Sequence, residues 1–479
     1  MKFSVVLLAF LFCIIKVHAQ QYVPQIESGP SMIKYDPRLI VKSGYLVVPE
    51  NRQQAKGRKI KIPFVFLRKE ESDEKKSISL FTTGGPGYST ISNIDSIGYD
   101  SGFLKYGGFI VFDQRGTKRS SVCLDCPEVD TAIKDSYRKH LPKKQLVLEA
   151  VEKCRKKFTD QGVNLSAYNT IESAEDINDL RLALNLDPLT LIGMSYSGGL
   201  MLTVARNHPE GVRSLILNSP LPGFVNYEEH ALFNINEALN QVFDNCESDS
   251  LNNPIYKDLR DRFRSYFTSI THKEYWLSYL EKGTKDSIKV KYGKSELLEV
   301  IIDRMNTGQV KTVPSVINDL IGGKHNAYIR EILDGYFSGD RKLSRGMRYS
   351  VYCSEQIAYS DVNVIKKQDN ALPWLAGYIF NNVDHEICKC WEVDPEPAEV
   401  KDQVYSAIPA LISAGDIDPW CRPFYNQQIK RFMPNSQLLV FHNRGHLSGF
   451  RLKEVDFLQQ FMENPYHKLI STSKEVRVE

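Results

Sequence analysis

Beyond its first twenty residues the 479-residue sequence has no apolar run long enough to span a bilayer. It has little net charge. The formal value is +3, and Lys2 and Lys16 in the N-terminal stretch account for part of it. A near-neutral chain offers no electrostatic footprint for nucleic acid, and no such partner is expected. The mixed-sign run RKEESDEKK (68–76) is a solvated loop, not a basic patch. No internal repeat and no low-complexity tract is present. Cys123-x-x-Cys126 is followed by no second pair with histidine at zinc spacing, so neither a metal nor another cofactor is expected.

The first residues, MKFSVVLLAFLFCIIKVHAQ, combine a basic start, an apolar run and the small-residue site Val17-His18-Ala19. That pattern predicts a signal peptide cleaved after Ala19, a secreted or periplasmic protein, and no stable membrane insertion once the signal is removed. Setting Cys13 aside, the nine cysteines leave an even number in an exported chain, which points to disulfides. A hydrophobic content of 42% is enough for a large core and two domains.

The segment 44–70 alternates and is rich in Val, Ile and Phe, predicting an early hairpin. KSISLFTTGGPG (76–87) reads as a strand entering a glycine-rich turn, and GGFIVFDQRGTKRSS (107–121) as a strand ending near Asp113. SAEDINDLRLALNL (173–186) spaces Ile177, Leu180, Leu182 and Leu184 as in a helix. LTLIGMSYSGGLML (189–202) then reads as strand, turn and helix, and VRSLILNSP (212–220) as the next strand. Such alternation predicts a mostly parallel α/β sheet flanked by helices. It stops after Pro222 and resumes with IPALISAGDIDPW (408–420), QLLVFHNRGH (437–446) and a closing helix through EVDFLQQFM. The expected organisation is a signal peptide (1–19), a first core part (20–222), an inserted, mainly helical cap (223–400) and a second core part (401–479).

Three chemically loaded residues fall at the carboxyl ends of the predicted strands, where open parallel sheets bind ligands. Ser195 follows 189–193, Asp418 follows 408–413 and His446 follows 437–442. Their chain order, Ser…Asp…His, is that of the α/β-hydrolase fold. A serine hydroxyl needs a neighbouring base, and the base needs a carboxylate to hold its tautomer. Ser197 competes with Ser195 for the nucleophile's place. Ser195 fits better, because Gly193 and Ser197 are the small residues two before and two after it, whereas Ser197 would be preceded directly by Tyr196. His442 and Asp416 are near decoys. The glycines of TTGGPG let the backbone approach a substrate carbonyl and aim an N–H at its developing charge.

The motifs TGGPG, FDQRGTKRSS, LDCPE, GMSYSGG, VYCSEQ, CKCW and GDIDP…GH resemble those of the proline iminopeptidase and tripeptidyl aminopeptidase family of α/β-hydrolases, over nearly the whole chain from GYLVVPENR to His446. Ser197 stands where that family has glycine, and Thr83 where it has histidine before GGPG. The resemblance implies Ser195 as nucleophile, His446 as base and then acid, and Asp418 as its orienting carboxylate. It implies an oxyanion hole from the backbone N–H groups of Tyr196 and Gly85, and structural roles for Asp113 and Arg115. It also implies the disulfides Cys126–Cys154 and Cys353–Cys388, leaving Cys123, Cys246, Cys390 and Cys421 unassigned.

The expected activity is that of a serine exopeptidase acting on peptides with a free amino terminus. The alternatives are a carboxylic-ester hydrolase with the same triad and a catalytically silent binding module. A cationic amino terminus entering a pocket needs a carboxylate partner. Glu228, Glu229, Glu237 and Glu355 are candidates in the inserted segment. Glu355 in VYCSEQ is favoured as the substrate-binding residue, tethered through Cys353.

Overall fold

The computed structural model describes residues 22–248, 254–378 and 383–479. The expected signal peptide lies outside the described residues. No helix among the described residues is long and apolar enough to cross a membrane.

One ten-stranded sheet organises the chain. Its strands in chain order are β1 (Gln25–Ser28), β2 (Ile40–Pro49), β3 (Lys59–Arg68), β4 (Ser79–Phe81) and β5 (Phe109–Phe112), then β6 (Leu189–Met194), β7 (Val212–Asn218), β8 (Ala410–Gly415), β9 (Ser436–Phe441) and β10 (Val476–Val478). In space they run β1-β2-β3-β5-β4-β6-β7-β8-β9-β10. The stretch from β5 through β4 to β9 is parallel. Antiparallel strands flank it at both edges, including the expected hairpin of β2 and β3.

The parallel strands read as unbroken apolar runs because both of their faces are covered. Leu191, Leu215, Ile412 and Leu438 face the layer that holds Ile177, Leu180, Leu200 and Met201. Their chain neighbours Ile192, Ile216, Leu411 and Leu439 face Phe457 and Phe461 of the last helix. The predicted helix at 173–186 is Thr170–Ala183, capped by Asn169. Leu182 is exposed, and polar Asp176 and Asp179 are buried instead. These acids are turned inward by Arg52, and Arg115 also binds Asp176.

Between β7 and its parallel neighbour β8 the chain builds a helical layer. It runs from the helix Tyr227–Ser248 to the helix His385–Trp391. One antiparallel hairpin, Tyr275–Leu280 with Ser287–Tyr292, interrupts the helices. Leu277 and Tyr279 point inward there, while Trp276 and Leu280 are exposed. The hydrophobic cluster of this layer joins Phe243, Phe263, Ile301, Leu320 and Met347 to Leu124, Val129, Val151 and Phe158, from the segment that precedes β6. Disulfides Cys126–Cys154 and Cys353–Cys388 cross-link the layer. The first of these consumes one cysteine of the Cys123-x-x-Cys126 pair.

Candidate active site

Ser195 sits between β6 and the helix Tyr196–Asn207 at φ 53°, ψ −127°, a positive-φ turn that lifts its side chain off the sheet edge. Such a turn brings the start of the helix back against the strand. At Gly193 a Cβ would lie 2.5 Å from the Ser197 carbonyl oxygen, so only glycine fits. Ser197 is fully buried and is spent on the turn itself. Its hydroxyl lies 2.8 Å from the Thr82 carbonyl and 2.9 Å from that of Met194, and it accepts the Met194 N–H at 2.9 Å. Ser195 instead opens onto a cavity of about 370 Å³, together with His446.

Asp418 and His446 come together behind that cavity. The Nδ1 of His446 is 2.8 Å from Asp418 Oδ2, and Asp418 is wholly buried. Its other oxygen accepts the N–H groups of Trp420 and Cys421, each at 2.9 Å. Burial alone would raise this carboxyl. The His446 charge and the hydrogen bonds to the carboxylate outweigh it and hold the group below the usual range. The two decoys form a pair of their own, His442 Nδ1 to Asp416 Oδ2 at 2.8 Å, but His442 is half exposed and outside this cavity.

The glycine-rich turn reaches the site, with Gly84 and Gly85 lining the cavity. Its path is pinned from below. Asp113 accepts the Ser89 hydroxyl at 2.8 Å and the Ile91 N–H at 2.9 Å, and Gln114 donates to the Thr83 carbonyl at 2.8 Å. Arg115 is buried and donates to Asp176 and to the carbonyls of Glu50 and Ala167. The N–H of Tyr196 opens a helix and has no carbonyl a turn earlier to bond. It stands beside Ser195, while the Tyr196 ring is buried and its hydroxyl lies 2.9 Å from Thr170.

Glu355 is not in the cavity lining, and the expectation that it projects over Ser195 is corrected. Arg348 and Tyr352 of the helix Arg345–Glu355 do line the cavity. At 1.5 Å per residue, Glu355 lies about 10 Å beyond Arg348 along that helix. There its carboxylate is buried and accepts the Thr170 hydroxyl at 2.7 Å. Burial raises its pKa, while the charge of Lys401 pulls it back down.

The acid that does line the cavity is Asp303. It follows the helix Lys294–Ile302, and the next residues are stitched to the histidine loop. His446 N–H donates to Met305 O at 2.9 Å, and Thr307 N–H to His446 O at 3.0 Å. The approach is so close that a Cβ on Gly445 would lie 1.8 Å from Met305 O. No cation among the described residues forms a salt bridge with Asp303. Asp303 is open to solvent on the cavity side, yet desolvation by the protein around it pushes its pKa up to about 6, Arg304 opposing and Glu331 adding to the rise. Cys421 also faces the cavity, in hydrogen-bond contact with the Ser195 hydroxyl.

Sequence reasoning missed Asp303 and Cys421. Cys421 carried a signal, since it lies three residues past Asp418 at the same strand end. It also missed Asn218 and Ser219, whose side chains accept the N–H groups of Gly449 and Leu447 and so hold the far side of the histidine loop.

Residues 107–450 match the family described as the alpha/beta hydrolase fold. No curated protein matches the sequence. Solved structures resemble this one at low identity. The 2-hydroxy-6-oxo-6-phenylhexa-2,4-dienoate hydrolase of Rhodococcus sp. strain RHA1 is 10% identical with a TM-score of 0.36, covering 89% of this chain and 99% of that one. A probable hydrolytic enzyme of Pseudomonas aeruginosa PAO1 is 13% identical with a TM-score of 0.38, covering 90% and 95%. An esterase of Exiguobacterium antarcticum is 15% identical with a TM-score of 0.31, covering 85% and 94%.

Proposed function

The chain belongs to the α/β-hydrolase fold family, and from that premise we propose that it is a serine exopeptidase that removes residues from the free amino end of peptides. The observation that carries this reading is Asp303, an acid without a salt-bridge partner among the described residues, in the wall of the cavity that holds Ser195 and His446. A carboxylate so placed offers a charge-assisted contact to a substrate ammonium and holds the chain end at a fixed distance from the nucleophile. In this reading the inserted segment 223–400 is the cap, the protein is exported after cleavage at Ala19, and Asp303 takes the part first expected of Glu355.

Ser195 Oγ attacks the scissile carbonyl carbon while its proton passes to Nε2 of His446. Asp418 holds Nδ1–H and stabilises the imidazolium, staying ionised itself. The oxyanion is met by the backbone N–H groups of Tyr196 and Gly85. Collapse breaks the C–N bond, and the imidazolium protonates the departing amine. Water, deprotonated by His446, then releases the acyl group from Ser195.

A second reading has support in the other walls. Tyr88, Leu221, Tyr227, Tyr352 and Trp420 would suit the acyl chain of a carboxylic ester. A panel of prolyl, alanyl and tripeptidyl arylamides beside a short-chain aryl ester separates the two. Arylamide turnover supports the peptidase, and ester turnover alone supports the esterase. The absence of both, with no fluorophosphonate labelling, would overturn each of them.

A further inference from the structure

Cys421 has no part in the acyl-transfer steps, yet it occupies the most reactive corner of the molecule. Its side chain is completely buried in the sense of the fold and still faces the cavity. It is not bridged, unlike Cys126, Cys154, Cys353 and Cys388. Among the described residues, one set of three metal-capable side chains converges: donor atoms of Asp418, Cys421 and His446 lie within 4.8 Å of one another. Among the described residues, Cys123, Cys246 and Cys390 belong to no such set.

The chemistry of the set is that of a borderline-soft divalent cation. A thiolate and an imidazole are the donors such ions select over magnesium or calcium. Zinc-binding histidines commonly present one ring nitrogen to the metal while a carboxylate holds the other. Here Asp418 already grips Nδ1 of His446 at 2.8 Å, which leaves Nε2 for the metal. The Ser195 hydroxyl and cavity water can complete a tetrahedral shell. The negative charges of Asp418 and a Cys421 thiolate balance a dication. We propose that Cys421 and His446 form an inhibitory site for Zn²⁺ or a similar thiophilic dication, with Asp418 holding the far nitrogen of the His446 ring. Binding forms a metal–sulfur bond, releases the thiol proton to solvent and ties up the base, so turnover stops until the ion is removed. The site goes beyond the peptidase reading and is indifferent to whether the substrate is a peptide or an ester.

The test is a Zn²⁺ titration of turnover on whichever arylamide or ester the enzyme accepts, with EDTA reversal. It is run for the unmutated enzyme, Cys421→Ser and Cys421→Ala, each scaled to its own metal-free rate. Co²⁺ is added in parallel to the unmutated protein, to Cys421→Ser and to Ser195→Ala. A sulfur-to-cobalt charge-transfer band reports thiolate ligation without any need for catalysis. The expected result is reversible inhibition with one ion per chain, a half-inhibiting Zn²⁺ concentration raised at least about 100-fold by either Cys421 variant, and a cobalt band present in Ser195→Ala but absent in Cys421→Ser. Cys421→Ser keeps Cys123, Cys246 and Cys390, so loss of the band isolates Cys421. Equal inhibition of all three enzymes, or a cobalt band that survives Cys421→Ser, would overturn the proposal. The cobalt arm reads the site even if every tested substrate fails, which separates its failure from failure of the peptidase reading.

Discussion

At the scale of single residues, two serines two positions apart do unlike work. Ser197 is consumed by bonds to Thr82 and Met194, so Ser197→Ala should cost about 1–3 kcal/mol of stability through the unsatisfied Met194 N–H and leave fluorophosphonate labelling intact. Ser195→Ala should abolish labelling and lower turnover by about a million-fold, with thermal melting little changed. Labelling rates and melting curves of the two variants check this, and the reverse pattern would contradict it. Asp303 carries a second expectation. Its pKa of about 6 means the carboxylate gains a proton, and with it loses its grip on an ammonium, as pH falls through that value. The groups around it are Arg304, Glu331, Glu299 and Tyr378. The ratio of kcat/KM for a free-amine arylamide to that for a neutral ester should therefore fall below about pH 6, since kcat/KM reports the free enzyme. In Asp303→Asn the ratio should be flat across that range and lower than that of the unmutated enzyme above about pH 6, the two converging below it. An unchanged pH profile in the variant would remove Asp303 from the account.

At the scale of elements, the grouping of Ser195, Asp418 and His446 was legible because each follows an apolar strand of the parallel sheet. Ser195 comes directly after β6, Asp418 three residues after β8 and His446 five residues after β9. Runs such as LTLIGM and ALISAG leave little doubt about where a strand stops. The small residues around Ser195 likewise announce the turn. Asp303 had no such signature. It ends an amphipathic helix in the inserted segment, and only the close approach of Gly445 to Met305 brings that helix end to the histidine. Glu355 shows the opposite case: its motif lies on a buried helix beside the site, but position along the helix axis decides which residues reach the cavity. The contact at Gly445 makes its own prediction. Gly445→Ala should force the two loops apart, lowering stability by about 1–3 kcal/mol and kcat more steeply than Ser197→Ala does. Activity at the level of the unmutated enzyme would show that the stitch does not position His446.

At the scale of the whole molecule, helical layer and sheet meet over a buried electrostatic knot that involves Glu355, Glu396 and Lys401. Burial, and then the charge of Glu355, push Glu396 up to about 8. The folded state thus holds a proton that the unfolded chain releases from about 4.5 upward, and this group's contribution to stability declines as pH rises from there to about 8. Glu396→Gln should remove that decline. Denaturant midpoints measured across this range should converge toward low pH and separate in favour of the variant at high pH, and parallel curves would contradict the assignment. The layered architecture itself was readable from the break in strand–helix alternation after Pro222. The share that 124–168 takes in the upper layer was not, because Leu124, Val129 and Phe158 show only a generic apolar spacing that fits either layer.

The central claim is that the cavity over Ser195 reads a free amino terminus. The measurement that tests it most directly is kcat/KM of the unmutated enzyme for an aminoacyl arylamide against its N-acetylated twin at neutral pH. Loss of a charge-assisted contact is worth about 1.5–3 kcal/mol, so the free amine should be cleaved about 10–100 times more efficiently. Equal rates on the two substrates would contradict the exopeptidase reading.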